Sequence, residues 1–153
     1  MFIAHPSGAV ATLHSGWRGT AARIVERGIE ALTHRGLPAH ELRVHLGPGI
    51  CGNCYEVSAD VFAQLTGTNP GRPTTVDLRA LIADHARAAG VVHISVSSSC
   101  TRCNNDRFYS HRAGDAGLTD CRRQYPEPGD PQLSGYRAAT GYFHIGFPLP
   151  GRP

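Results

Sequence analysis

Two hydrophobic periods take turns along this chain, and their repeated exchange restricts its architecture. From Ala9 to His14 the side chains alternate, with Val10, Thr12 and His14 on one face and Ala9, Ala11 and Leu13 on the other. That is the two-residue period of a half-buried strand ending at His14. After Ser15-Gly16 the period changes, and Ile24, Val25, Gly28, Ile29 and Leu32 fall at helical spacing. Gly36 offers a C-terminal stop and Pro38 prevents continuation. His14 therefore sits at a strand-to-helix junction.

The switch recurs further on. Leu42 to Leu46 reads as a strand running into the sharp turn Gly47-Pro48-Gly49. Ser58 is placed to cap a short helix carrying Val61, Phe62 and Leu65, and 66–75 is a loop rich in Gly, Pro and Thr. Asp77 is an N-cap for a third helix with Leu78, Leu81, Ile82, His85 and Ala89 on its apolar side and Gly90 at its close. Val91 to Val96 is a further strand. Strands alternating with helices predict an α/β or α+β fold, with helices packed on a mixed β-sheet. Residues 113–135 lack apolar periodicity and read as a long loop or insertion, and Tyr136 to Phe147 reads as a last strand with Tyr142, His144 and Gly146 on one face. The 153 residues amount to a single domain large enough to bury a core.

Composition narrows the functional classes. No apolar run approaches the roughly 20 residues of a membrane-spanning helix, and the opening Met-Phe-Ile-Ala-His-Pro is not a signal peptide, so a soluble, cytoplasmic protein is expected. All 15 basic side chains are Arg, and the formal charge of +3 is spread without a basic block, which argues against a nucleic-acid partner. Five Cys without an export signal do not suggest a disulfide framework. Nine His justify a search for a metal or acid–base site.

Three segments carry chemistry. In His14-Ser15-Gly16-Trp17-Arg18-Gly19, an imidazole at a strand end can serve as metal ligand or proton carrier. The glycines there allow a tight turn near a ligand, and Arg18 beside a helix start can help hold an anion. The structural alternative is a capped turn with Trp17 in the core and Arg18 solvated. The second segment, 47–57, supplies Tyr55 and Glu56 on a glycine-rich turn, and reads as a structural strand-to-helix turn ahead of a directly catalytic one. The third runs from Cys100-Thr101-Arg102-Cys103 to Phe108-Tyr109-Ser110-His111-Arg112. In a strand Ser110 and Arg112 would share a face opposite His111, which disfavours a Ser-His nucleophile pair and leaves an edge strand with polar residues outward as an alternative. Cys51-x-x-Cys54 and Cys100-x-x-Cys103 also have the spacing of two zinc knuckles. They lie further apart than the ~15–20 residues of a zinc ribbon, so they would have to meet through the fold, with Cys121 left outside.

Taken in order, these segments resemble the multicopper polyphenol oxidase (laccase-domain) family. Its motifs are His-Ala-Gly-Trp-Arg-Gly, Gly-Pro-x-Ile-x-x-x-Cys-Tyr-Glu-Val, and Cys-Thr followed by Phe-Phe-Ser-x-Arg. Here they stand as His14–Gly19 with Ser15 for Ala, as Gly47–Val57, and as Cys100-Thr101 with Phe108–Arg112 and Tyr109 for Phe. The resemblance covers roughly residues 3–112. It implies a laccase-domain-like sandwich and action on purine nucleosides with phosphate, by zinc-dependent phosphorolysis or adenosine deamination; copper-dependent phenol oxidation is the older family label. It also implies a zinc held by two His and one Cys, of which His14 matches one His. The family's other two ligand segments lie upstream of its Trp-Arg motif, and the sequence beginning at Met1 is expected to lack them, as an N-terminally truncated domain would.

By motif position Arg18, Ser110 and Arg112 are candidate catalytic residues and His14 the candidate metal ligand. Three readings compete: a zinc-dependent purine nucleoside phosphorylase and adenosine deaminase; a truncated family member acting as a homo-oligomer or as a subunit completed by a partner chain; and a four-thiolate zinc module.

Overall fold

The computed structural model describes residues 1–114 and a strand at Phe143–Gly146. In chain order the elements are β1 (Phe2–Ala4), β2 (Val10–Leu13), α1 (Trp17–Ala21), α2 (Ile24–Thr33), β3 (Arg43–Leu46), β4 (Glu56–Val57), α3 (Ala59–Thr66), β5 (Thr74–Thr75), α4 (Leu78–Ala88), β6 (His93–Val96) and β7 (Phe143–Gly146). Five strands form one sheet in the order β6-β3-β1-β2-β7, and β4 pairs with β5 in a separate two-stranded ribbon. The α/β architecture with helices on a mixed sheet is as the sequence predicts.

Strand direction decides where the functional segments go. β1 is antiparallel to both β2 and β3, while β3 and β6 are parallel. Hence β2, β3 and β6 all point the same way and deliver their carboxyl ends to one end of the sheet. β7 runs antiparallel to β2, with Val10 opposite Gly146 and Leu13 opposite Phe143.

The core lies on one face of this sheet. Ile3, Ala11, Leu13, Val44 and Leu46 point inward and meet Ile24, Val25, Ile29 and Leu32 of α2 and Ile82, Ala83 and Ala86 of α4. Each large aliphatic side chain fully buried here is worth about 1.5–3 kcal/mol of transfer free energy. The five residues that fall at helical spacing, Ile24, Val25, Gly28, Ile29 and Leu32, are the buried residues of α2. The alternate strand positions, among them Phe2, Val10, Thr12, Arg43, His45 and His93, are exposed on the opposite face. There Phe2 is 59% and Val10 51% accessible.

The caps act as the sequence suggests. The Ser58 hydroxyl accepts from the Val61 amide, and the Asp77 carboxylate accepts from the Arg79 and Ala80 amides. Gly90, at a left-handed φ of 92°, closes α4, and the Val91 amide turns back to the Ala86 carbonyl at 3.1 Å. This turn takes up Val91 and Val92, so β6 begins at His93 rather than at Val91.

Other expectations need correction. The helical segment after Ser15-Gly16 is two helices, broken at Arg23, whose φ of 54° lies in the left-handed region. The loop over 66–75 ends in β5, a two-residue strand too short to give a periodic signal. Ser110 to Arg112 are not in a strand, because His111–Ala113 coil into a 3-10 turn. Of the insertion at 113–135, residues 115–135 lie outside the described residues. So does the expected last strand apart from β7.

Two stability measurements check this packing. Asp77→Ala should cost roughly 1 kcal/mol in denaturant unfolding, and Asp77→Asn, which keeps an acceptor at the cap, much less. His85 of α4 has its Nδ1 buried without a hydrogen-bond partner among the described residues. Burial, then the Arg23 charge, lowers its pKa. The folded protein therefore holds this proton less tightly than the unfolded chain, so stability should fall as pH drops through about 6.5. His85→Gln should flatten that slope.

Candidate functional site

The three chemistry-bearing segments leave the sheet at the same end, after β2, β3 and β6. β1 separates β2 from β3, so their exit points are about 10 Å apart, two strand spacings. His14 lies one residue past β2 and is exposed, with its Nε2 standing 3.9 Å from where a Cβ on Gly16 would sit. The turn below it is fixed by Thr20, which is buried and donates its hydroxyl to the Gly16 carbonyl at 3.0 Å. The Ser15 hydroxyl, 3.1 Å from the Thr20 oxygen, is then the donor in that pair. Trp17 packs against a second apolar cluster of Tyr55, Val57, Leu65, Val76 and Leu78, which joins the first segment to the second. Arg18 is exposed and its guanidinium stacks 4.4 Å from the Trp17 ring centre.

The parallel pairing of β3 and β6 continues past the strand ends. The Ser97 amide donates to the Leu46 carbonyl at 2.8 Å, Gly49 to Ser99 at 3.4 Å, and Thr101 to Gly49 at 3.3 Å, so Gly49 stands opposite Cys100. Arg79 of α4 holds this extension in place, donating from one Nη1 to the Ser97 and Ser99 carbonyls at 2.6 and 3.0 Å. Cys51 and Cys54 thereby meet Cys100 and Cys103, and the four sulfurs lie within 4.8 Å of one another. Long sequence separation is bridged by the crossover between adjacent parallel strands. These four cysteines are positioned to bind a metal ion.

The electrostatics of the cluster centre on Cys100. Its burial raises the thiol pKa, but amide donation from Cys103 (3.4 Å) and Cys51 (3.3 Å) outweighs this and brings it to about 6. Hydrogen bonding to Cys54 and then Cys100 pushes Cys103 up to about 12, and hydrogen bonding to Cys100 raises Cys51. One negative charge thus concentrates on the buried Cys100 sulfur, while the Cys51 and Cys103 thiols hold their protons more tightly.

The third segment is docked onto the second. Arg112 donates to the Glu56 carbonyl at 3.0 Å and its guanidinium lies 4.9 Å from the Tyr55 ring centre. Arg102 donates to the Cys54 carbonyl at 3.2 Å. Ser110 is buried at the start of the 3-10 turn. Gly52 brings its loop against the start of α4, where an added Cβ would stand 2.9 Å from the Cβ of Asp77. Of the residues singled out from sequence, Arg112 is held by the second segment and Arg18 by its neighbour Trp17, while His14 is exposed beside its turn.

His14 belongs to no group of three or more potential ligands among the described residues, where the four cysteines form the only such group. Among the described residues, the donors around it do not make a three-ligand centre. His5 is engaged elsewhere, 3.0 Å from a Glu41 carboxylate oxygen and 2.8 Å from the Ser7 hydroxyl. Sequence reasoning missed Arg79 and Arg102, whose roles depend on backbone carbonyls distant in sequence.

Comparison with known proteins shows the family and the fold. The sequence model of the multi-copper polyphenol oxidoreductase laccase family matches residues 1–120, and the chain belongs to that family. It is 35% identical over 127 residues to a purine nucleoside phosphorylase of Deinococcus radiodurans, an overlap of 78% of this chain and 49% of the relative. To adenosine deaminase RL5, from an unknown prokaryotic organism, it is 33% identical over 119 residues, 69% of this chain and 45% of the relative. The crystal structure of the hypothetical protein YfiH of Bacillus licheniformis superposes with a TM-score of 0.65 at 26% identity, over 76% of this chain and 49% of that one. The chain spans about half the length of the curated relatives it matches.

A paired substitution tests the close approach beneath the cysteine loop. Gly52→Ala should destabilise the protein by about 1–3 kcal/mol, because backbone and cap must move. Gly49→Ala should cost much less, since its Cβ would sit 3.5 Å from the Arg79 side chain, an ordinary contact. Equal losses on denaturant unfolding would contradict the packing described.

Proposed function

We propose that this chain forms the part of a zinc-dependent purine nucleoside phosphorylase, with adenosine deaminase activity, that presents phosphate and nucleoside to the reacting centre. The observation that carries the reading is the convergence of three segments at one sheet end, within a family whose relatives bear those two names. In phosphorolysis a phosphate oxygen attacks the anomeric carbon while the purine departs, so the site must hold an anion and steady the leaving base. Arg18 and Arg112 are suited to holding the anion, because each guanidinium lies against an aromatic ring that restricts its orientation, and a guanidinium can pair with phosphate in bidentate fashion. Ser110 offers a hydroxyl beside Arg112. His14 offers one exposed imidazole as a metal ligand at the same sheet end. A cytoplasmic location suits both the substrates and four reduced thiols.

The sheet face that is exposed among the described residues supports a second reading, in which this half-length domain serves as a subunit with that face against another copy. Phe2, Arg43, His45 and His93 line a shallow depression of about 370 Å³ there. A monomer by light scattering would remove that reading.

The enzymatic reading is tested by phosphate-dependent release of adenine from adenosine, with inosine followed in parallel and metal content assayed. Arg18→Ala and Arg112→Ala should each raise the KM for phosphate about 10-fold or more, the size of a lost charge-assisted hydrogen bond. Folded, pure protein that neither releases adenine nor forms inosine, with or without added zinc, would refute it.

A further inference from the structure

The four-cysteine cluster is separate from His14 and is not used by the chemistry proposed above. We propose that Cys51, Cys54, Cys100 and Cys103 together hold one zinc ion in a closed, structural tetrathiolate site.

Geometry favours a single ion. A tetrahedral zinc with Zn–S bonds of about 2.3 Å places its sulfurs about 3.8 Å apart. Here all four lie within 4.8 Å of one another, and Cys54 and Cys103 are already at 3.5 Å. Each pair has the two-residue knuckle spacing, and each knuckle follows a strand of the parallel pair β3–β6, whose register brings them together. The surroundings suit thiolates: two backbone amides donate to the Cys100 sulfur, and Arg102 sets a positive charge beside the Cys54 carbonyl. Such donors orient ligand sulfurs and offset the negative charge of a four-thiolate zinc. Packing offers little other reason for four thiols here, because Cys103 is exposed and Cys51 and Cys54 are only half-buried.

Four protein sulfurs fill a tetrahedral zinc and leave no open position for water or substrate. The ion's role is therefore to clamp the loop after β3 to the loop after β6. Those loops carry Tyr55 and Glu56 on one side and lead to Arg112 on the other, so the clamp fixes one wall of the proposed nucleoside site. The site stands whether or not the chain acts on nucleosides, and its test reads metal rather than turnover.

The experiment measures zinc by mass spectrometry in full-length protein purified under reducing conditions without chelator. The wild type should carry zinc, and Cys100→Ser and Cys103→Ser should each lose one equivalent per chain, whereas His14→Ala should keep it. Cobalt(II) exchanged into the wild type gives a readout that needs no variant to fold. It should produce intense tetrahedral d–d bands with sulfur-to-cobalt charge transfer. Zinc retained in both cysteine variants, cobalt spectra without sulfur charge transfer, iron in place of zinc, or a folded wild type that takes up neither zinc nor cobalt would each overturn the proposal.

Discussion

The parallel pairing of β3 with β6 sets Leu46 beside Val96 and, past the strand ends, Gly49 beside Cys100. Parallel neighbours require a crossover, here the ribbon β4–β5 with helices α3 and α4, and the crossover brings two distant pieces of chain to the same sheet end. Arg79 reaches from α4 to hold the extended pairing by two carbonyls. The cysteine pairs, the Tyr55 turn and the approach to Arg112 all follow from that one alignment.

The same directionality explains why the His14 segment joins them. β1 is antiparallel to both of its neighbours, so β2 is restored to the direction of β3. Ligand sites in sheets of this kind collect beyond the carboxyl ends of strands. Trp17 then locks the first segment to the second through the cluster around Tyr55 and Leu78, and Arg112 locks the third to the second through Tyr55 and the Glu56 carbonyl. Tyr55 is thus the common surface against which both flanking segments are set.

The regular parts of the fold were legible because their information is local. The period of Ile24 to Leu32 names the buried side of α2, and Ser58 and Asp77 name their helix starts by chemistry that acts within three residues. The break at Arg23 was not legible, because nothing in its residue type requires a left-handed φ. The β4–β5 ribbon is too short to leave a periodic trace, and His111 to Ala113 coil where an edge strand was one of the alternatives. The three motifs could be recognised as a resemblance to a family, and that family is the one to which the chain belongs. Their convergence could not be read, since it rests on strand order and direction. The cysteine pairs mark the same limit: their spacing suggested two knuckles, and only the β3–β6 register shows that they meet.

Whether those four sulfurs close on one ion can be read from X-ray absorption at the zinc edge of the purified protein. A tetrathiolate site should give a first shell of four sulfur scatterers at about 2.3 Å. A shell dominated by nitrogen or oxygen at about 2.0–2.1 Å would contradict it.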